Sequence, residues 1–438
     1  MKKVIFLVFS LIVLLIVADL GASYYVGLRA KQRFEQLVTF LNNNHLMTYE
    51  IISYHQGLLK SEAITQVKFK YIKDSNKYLK VKHTLLHGPI IIGGSVEKPV
   101  DFQLAVVNSQ PIDLSPQVNV PFTTQTIFKF NQETETKTIG TAVTVLDPLF
   151  QISSPGWSSN TQINKHWQAM KGNIIIPEMT IQVMALPIVI KDIQLLFDQN
   201  RSDYGNWLGE VSLNVGNALQ QEQGIEIANL KFKENVLLEP KSQVMAITWN
   251  VDFNKVAIAK ITYGPLHFAL QLENIDPEAL KLLSDFQNNI SIDRQKQEEF
   301  VKKVLSKKPK LTITPSEILL PEGKMQIETT LTIGDANIGV PLEKENLMKT
   351  LDGNLHAIVP KEILRQGLLL GMTQEMQKDP DFQKMTEDQK KQALDQQLTV
   401  KIQKLVQDGV LTEKGTDYEI KISVVKGKWI VNGKELSL

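Results

Sequence analysis

Residues 245–253 read MAITWNVDF. Met245, Ile247, Trp249, Val251 and Phe253 alternate with Thr248, Asn250 and Asp252. Successive side chains of a strand point to opposite faces, so this period of two predicts a strand with one apolar face and one polar face. The same pattern surrounds it. Leu266, Phe268, Leu270 and Leu272 share a face, as do Met325, Ile327, Leu331 and Ile333. Nearer the N-terminus, Val67, Phe69 and Tyr71 oppose Gln66, Lys68 and Lys70. Gly93-Gly94, Ser154-Pro155-Gly156 and Pro321-Glu322-Gly323 are turn signals between such runs. Repeated one-sided strands argue for antiparallel sheets with one face solvated. The regular alternation of strands and helices that builds a parallel sheet is not seen.

Helices interrupt this pattern in a few places. Asp276-Pro277-Glu278 is a helix start, with a capping Asp, Pro at the first position and an acid in the first turn. Ala279, Leu280, Leu282, Leu283 and Phe286 follow it, and residues 293–306 predict a second, more polar helix. Pro360 opens a third, carrying Ile363, Leu364, Leu368 and Met372. Thr386 caps a run to Gln407, with Gln389 placed for a capping box and Gly409 where a C-terminal glycine belongs. YEIKISVV at 418–425 and KWIV at 428–431 predict a closing hairpin. The expected class is mainly β (α+β), with helices attached. HGPII at 87–91 and YGPLH at 263–267 form a weak internal echo, which a shared turn solution explains.

The N-terminus carries the clearest targeting signal. MKK precedes VIFLVFSLIVLLIVA at 4–18, and Asp19 is the one charge in 4–28. A helix over 4–28 would span ~37 Å, more than the ~30 Å hydrocarbon core of a bilayer. Lys2 and Lys3 favour an inside N-terminus, whereas Arg29, Lys31 and Arg33 lie close on the far side. Two readings compete: an uncleaved signal anchor, and a signal peptide cleaved after Leu20-Gly21-Ala22, a poor cleavage site. Both export the bulk of the chain. Residues 29–44 predict an amphipathic connector helix with Phe34, Leu37, Val38 and Leu41 on one face. The expected divisions are therefore 1–28, 29–44, a β-rich region 45–275, a helical segment 276–308, and a C-terminal β region 309–438 with a helical insertion at 360–408.

The chain has 438 residues, net charge +1 and no cysteine. Its length suits two or three domains. The charge balance excludes the broad basic field of a nucleic-acid binder. Lack of cysteine removes disulfides, thiol catalysis and thiolate metal sites. The sequence contains no phosphate-binding glycine loop, dinucleotide fingerprint, nucleophile elbow or His-Glu-x-x-His. VKHTLLHGPIIIGG at 81–94 is the one local candidate for a metal or catalytic site. On a strand, His83 and His87 share the apolar face with Leu79, Val81 and Leu85. Strand positions four apart lie ~13 Å apart, too far for one ion, and no local third ligand joins them. The expectation is a pair of core or edge histidines beside a turn. Gly367 and Gly371 have membrane-dimer spacing, but nearby Lys361, Glu362 and Arg365 favour ordinary helix packing. No catalytic, cofactor or metal residue is assigned.

Several blocks follow one another in an order that resembles the YdgA-like family of bacterial envelope proteins. They are GASYYVG at 21–27, YHQGLLKSEA at 54–63, HGP at 87–89, YGPLHFALQLENIDPEAL at 263–280 and PKLTITPSEILLPEGKMQIETTLTI at 309–333. The C-terminal LVQDGVLTEKGTDYEIKISVVKGKWIVNGKEL completes the set. Gln56 departs from the basic residue expected there, and residues 100–240 match loosely. The resemblance implies an inner-membrane-tethered or periplasmic protein of a Gram-negative bacterium and carries over no catalytic residue. The implied fold is similar to β-rich, lipid-associated envelope proteins of the AsmA kind. The expected function is a non-enzymatic envelope protein, held in the inner membrane through residues 4–28 with the rest periplasmic, that binds lipid or an apolar partner. The alternatives are a structural or homo-oligomeric scaffold and a periplasmic hydrolase with unrecognised catalytic residues.

Overall fold

The structure is a computed structural model describing residues 2–42, 47–69, 78–88, 90–92, 100–114, 118–146, 150–183, 186–259, 261–280, 282, 294–333, 350–376, 380–425 and 427–436. The side chains of residues 1–19, which carry the run read as a membrane anchor, lie outside the described residues. Among the described residues no helix is long and apolar enough to cross a membrane. The chain is mainly β and divides into two units, residues 1–202 with 209–222, and residues 203–208 with 223–438.

Unit 1 begins with a single helix, α1 (Lys2–Leu41). Its strands are β1 (Met47–His55), β2 (Lys60–Phe69), β3 (Tyr78–His87), β4 (Ile91–Ile92), β5 (Val100–Asp101), β6 (Ala105–Leu114), β7 (Val118–Asn119) and β8 (Phe122–Phe128). They continue with β9 (Thr134–Gly140), β10 (Val143–Leu146), β11 (Phe150–Ser154), β12 (Trp157–Ile163), β13 (Ala169–Val183), β14 (Leu186–Arg201) and β15 (Trp207–Gln220), of which residues 209–220 belong to this unit. The strands β1, β2, β3, β6, β8, β9, β12, β13 and β14 lie side by side in that order, every pair antiparallel. A shorter path, β7–β10–β11, joins β13 along its second half.

The helix is continuous where the sequence divides it at residue 28. No proline breaks it, and its C-terminal half has tertiary partners. Ala30, Phe34 and Val38 pack with Ala63, Leu85, Ala105, Val107 and Phe128 as the core of this unit. The stretch read as a connector is thus the element that covers the sheet. On β2 the alternation is as expected: Ser61, Ala63, Thr65 and Val67 are buried. Tyr71, and the side chain of Phe69, lie outside the described residues.

Unit 2 holds β16 (Ile225–Leu238), β17 (Met245–Phe253), β18 (Lys255–Ile258), β19 (Ile261–Tyr263), β20 (Leu266–Ile275), β21 (Lys310–Leu320), β22 (Gly323–Ile333) and β23 (Leu351–Pro360). It ends with β24 (Thr412–Lys414), β25 (Asp417–Val425), β26 (Lys428–Val431) and β27 (Lys434–Leu436). The order β16–β17–β20–β21–β22–β23–β25–β26–β27 is antiparallel throughout. Pro315 cannot donate to the ladder. The register shifts there, between Ile313 and Ser316. Buried Ser316 meets the gap: its hydroxyl accepts from the Ala269 amide at 3.1 Å and donates to the Thr314 carbonyl at 2.8 Å.

Residues 277–280 are helical after Asp276, whose Oδ1 accepts from the Glu278 amide at 2.8 Å. Beyond them the described helices are α2 (Arg294–Ser306), α3 (Lys361–Met376), α4 (Pro380–Gln383) and α5 (Glu387–Gln407). The last three form the insertion expected at 360–408. They leave the sheet at Pro360, which pairs directly with Asp417, so β23 and β25 close across them. The Thr386–Gln389 capping box is present, and Gly409 takes a φ of 78°.

Candidate functional site

The pairing registers trace two neighbouring rows across one face of unit 1. The first runs Leu85, Val107, Thr126, Thr136, Thr161, Gly172, Phe197. The second runs His83, Ser109, Thr124, Thr138, Ser159, Ile174, Leu195. Directly opposed residues of antiparallel strands share a face, so this is one surface with three chemical zones.

The first zone lies under α1 and contains both histidines of the 81–94 stretch. His83 places Nε2 2.8 Å from Thr65 Oγ1 and Nδ1 2.8 Å from Ser109 Oγ. His87 places Nε2 2.9 Å from Ser61 Oγ and Nδ1 3.2 Å from the Ser23 carbonyl of α1. A hydroxyl can donate or accept, so each pair suits a neutral imidazole. Burial pushes His83 down to about 4. Burial also lowers His87, opposed by its bond to the Ser23 carbonyl. The Phe34 ring stands edge-on to His83 at 4.9 Å. Among the described residues the ring nitrogens of both histidines meet hydroxyls or a carbonyl, and no carboxylate orients either ring. Among the described residues, no group of three or more His, Asp or Glu side chains is placed to hold a metal.

The second zone is a hydroxyl belt. Thr124 and Thr138 meet at 2.9 Å, and Thr126 and Thr136 at 3.1 Å.

The third zone is apolar and lies on the longest strands. Ile174 pairs with Leu195, Ile176 with Ile193, and Gly172 with Phe197. A Cβ on Gly172 would lie 2.7 Å from the Phe197 ring, so the glycine makes room for it. β15 runs beside β14, because a Cβ on Gly216 would touch Asp192 and one on Gly209 would touch Asp198. Counting from Gly216 opposite Asp192 puts Val211, Leu213 and Val215 on the same apolar face. No described side chain of β13 or β14 is fully buried, whereas Leu85 and Val107 in the first zone are. A half-covered apolar surface, with the hydroxyl belt on one side and the Glu178–Lys191 ion pair (3.5 Å) further along the same strands, suits an acyl chain or another apolar segment.

Unit 2 contributes a charged cluster that sequence reasoning missed. His356 Nδ1 lies 3.0 Å from Glu328 Oε1, and Nε2 lies 2.9 Å from Glu419 Oε1. Lys421 and Lys414 approach the same Glu419 oxygen at 3.1 Å and 3.5 Å. His356, then Lys421, holds the Glu419 carboxyl down at about 2. The cluster borders a concavity of about 630 Å3 that Thr312, Thr330, Asn354 and Ser423 also line. Its members lie on β22, β23, β24 and β25, and Glu328, His356 and Glu419 are far apart in sequence, so no local spacing announces them. The His356 ring bridges Glu328 and Glu419, which makes the cluster a staple across three strands. Gly367 and Gly371 have open space beside them, with nothing within 4 Å of a Cβ at either.

The profile of a family described as "Bacterial protein of unknown function (DUF945)" matches residues 1–438. No curated protein and no solved structure matches the chain.

Proposed function

The chain belongs to the DUF945 family of bacterial proteins of unknown function, and from that premise we propose a non-enzymatic, membrane-anchored envelope protein that holds an apolar ligand on the third zone of unit 1. The YdgA-like resemblance supports placement in a Gram-negative envelope. The run 4–18 supports the inner-membrane anchor, with the remainder in the periplasm. The observation that carries the binding reading is the half-covered apolar face of β13 and β14. A sheet face of isoleucine, leucine and phenylalanine left partly wet costs about 25 cal/mol per Å2 of exposed apolar area. An acyl chain laid along it would recover that energy. A tether raises the local concentration of any ligand drawn from the bilayer.

A photoactivatable fatty acid tests the reading in the full-length protein. Crosslinks should concentrate in residues 170–215 and fall severalfold in Leu195→Asp. Crosslinks spread evenly over the chain, or indifferent to that change, would leave only the scaffold reading. An alkaline phosphatase fused after Leu438 should be active; an active cytoplasmic reporter at the same position would overturn the export.

A further inference from the structure

We propose that the corner of unit 1 where α1 leaves the sheet is a membrane-contacting surface, pressed against the bilayer that receives residues 4–22. The inference rests on the anchor reading above and adds to it a fixed docking face for the folded body.

Three segments meet α1 at this corner. The β3 terminus reaches it through His87, whose ring lies 3.2 Å from the Ser23 carbonyl and against Gly27; a Cβ there would sit 2.5 Å from the ring. The β1–β2 turn joins the same point, because the His87 amide donates to the Leu59 carbonyl at 3.1 Å. The segment before β6 follows, since Ala105 pairs with His87. On all of these, large apolar side chains face outward instead of inward. Leu58 and Leu59 are exposed on the turn, Ile90 just past β3, and Phe102, at 67%, just before β6. Tyr24 and Tyr25 on the helix itself are more than half exposed, and Leu28 stands exposed one turn on. The Arg29 guanidinium donates to the Tyr25 hydroxyl at 2.9 Å.

A soluble surface does not gather apolar side chains around one helix exit without a partner. The identity of that partner follows from the helix. Residues 4–22 span about 29 Å as a helix, which matches the ~30 Å hydrocarbon core. The bilayer surface therefore falls at Ser23–Leu28, where tyrosine and arginine suit the headgroup layer. The sheet already grips α1 at Ser23 and Gly27. No linker separates the membrane from the fold, so the loop tips carrying Leu58, Leu59, Ile90 and Phe102 lie at headgroup depth. Wetting them would cost what inserting them saves.

The chain has no cysteine, so single cysteines can be spin-labelled uniquely. Full-length Leu59→Cys, Phe102→Cys, Val13→Cys and Ile139→Cys would be reconstituted in vesicles of phosphatidylcholine and phosphatidylglycerol. Ile139 is exposed on β9 and serves as the water reference. Collisions with oxygen, which concentrates in hydrocarbon, are compared with collisions with a water-soluble nickel chelate. Labels at 59 and 102 should show an oxygen-to-nickel ratio severalfold above that at 139, approaching that at 13. A lipid-like label at 13 with water-like labels at 59 and 102 overturns the docking face and leaves the anchor standing. A water-like label at 13 overturns both. Labels at 59 and 102 shielded from both collision partners would assign the corner to a second copy of the chain and overturn the bilayer as its occupant.

Discussion

The two ends of one sheet face in unit 1 differ in what lies over them. At β2–β3–β6–β8, α1 lays Ala30, Phe34 and Val38 on the face, and Leu85 is wholly buried. At β13–β14, the same registered rows carry larger and more numerous apolar side chains, yet none of them is fully buried. The contrast teaches that apolar alternation selects a face and does not seal it. Sealing requires a second layer, and in unit 1 the described helix reaches only one end.

The largest effect should come from the helix-covered end. Phe34→Ala should lower stability by about 3–5 kcal/mol, through lost burial and the cavity left behind. Urea unfolding followed by tryptophan emission measures it. A cost below about 1 kcal/mol would mean that α1 does not cover the sheet as described.

Acid should strike the same end next. His83 has a folded pKa depressed to about 4 from its ordinary 6.5. The unfolded chain therefore binds more protons between those values, so stability falls as pH drops through that window and is flat above it. One proton limits the slope to about 1.4 kcal/mol per pH unit. His83→Gln should flatten the fall between pH 6.5 and 4. An unchanged slope would place the titration elsewhere.

Gly27→Ala should then cost about 1–3 kcal/mol, because the new methyl meets a His87 ring that Ser61 and Ser23 hold in place. Gly367→Ala on α3 should instead gain up to about 1 kcal/mol of helix propensity, since nothing lies within 4 Å of its Cβ. Equal signs for the two glycines would contradict the grip of the sheet on α1. The smallest effect is expected at Leu195→Ala, below about 1.5 kcal/mol, since a half-wet leucine has less burial to lose. A loss equal to that at Phe34 would make the face of β13 and β14 a core and end the comparison.

Much of this protein was legible in the sequence because it is local. A period of two is decided within a few residues, and MAITWNVDF is β17. Pro321-Glu322 joins β21 to β22 as a two-residue turn, with Leu320 paired to Gly323. The amide of Gln389 donates to Thr386 Oγ1 and the Thr386 amide to Gln389 Oε1, three positions apart, as the capping box demands. What the sequence left open is what depends on partners from elsewhere in the chain. The chain passes between the two units at 202/203, 208/209 and 222/223, around β15 and the turns that flank it, and those turns look like any other turn between strands. His356, Glu328 and Glu419 meet only because β22, β23 and β25 pair in one register. Residues 29–44 read as an amphipathic helix in any context. Only the packing of Phe34 and Val38 onto strands that end far along the chain made that helix the cover of one end of a sheet and not the other. An apolar face is a property of spacing; its burial is a property of what the rest of the chain brings to it.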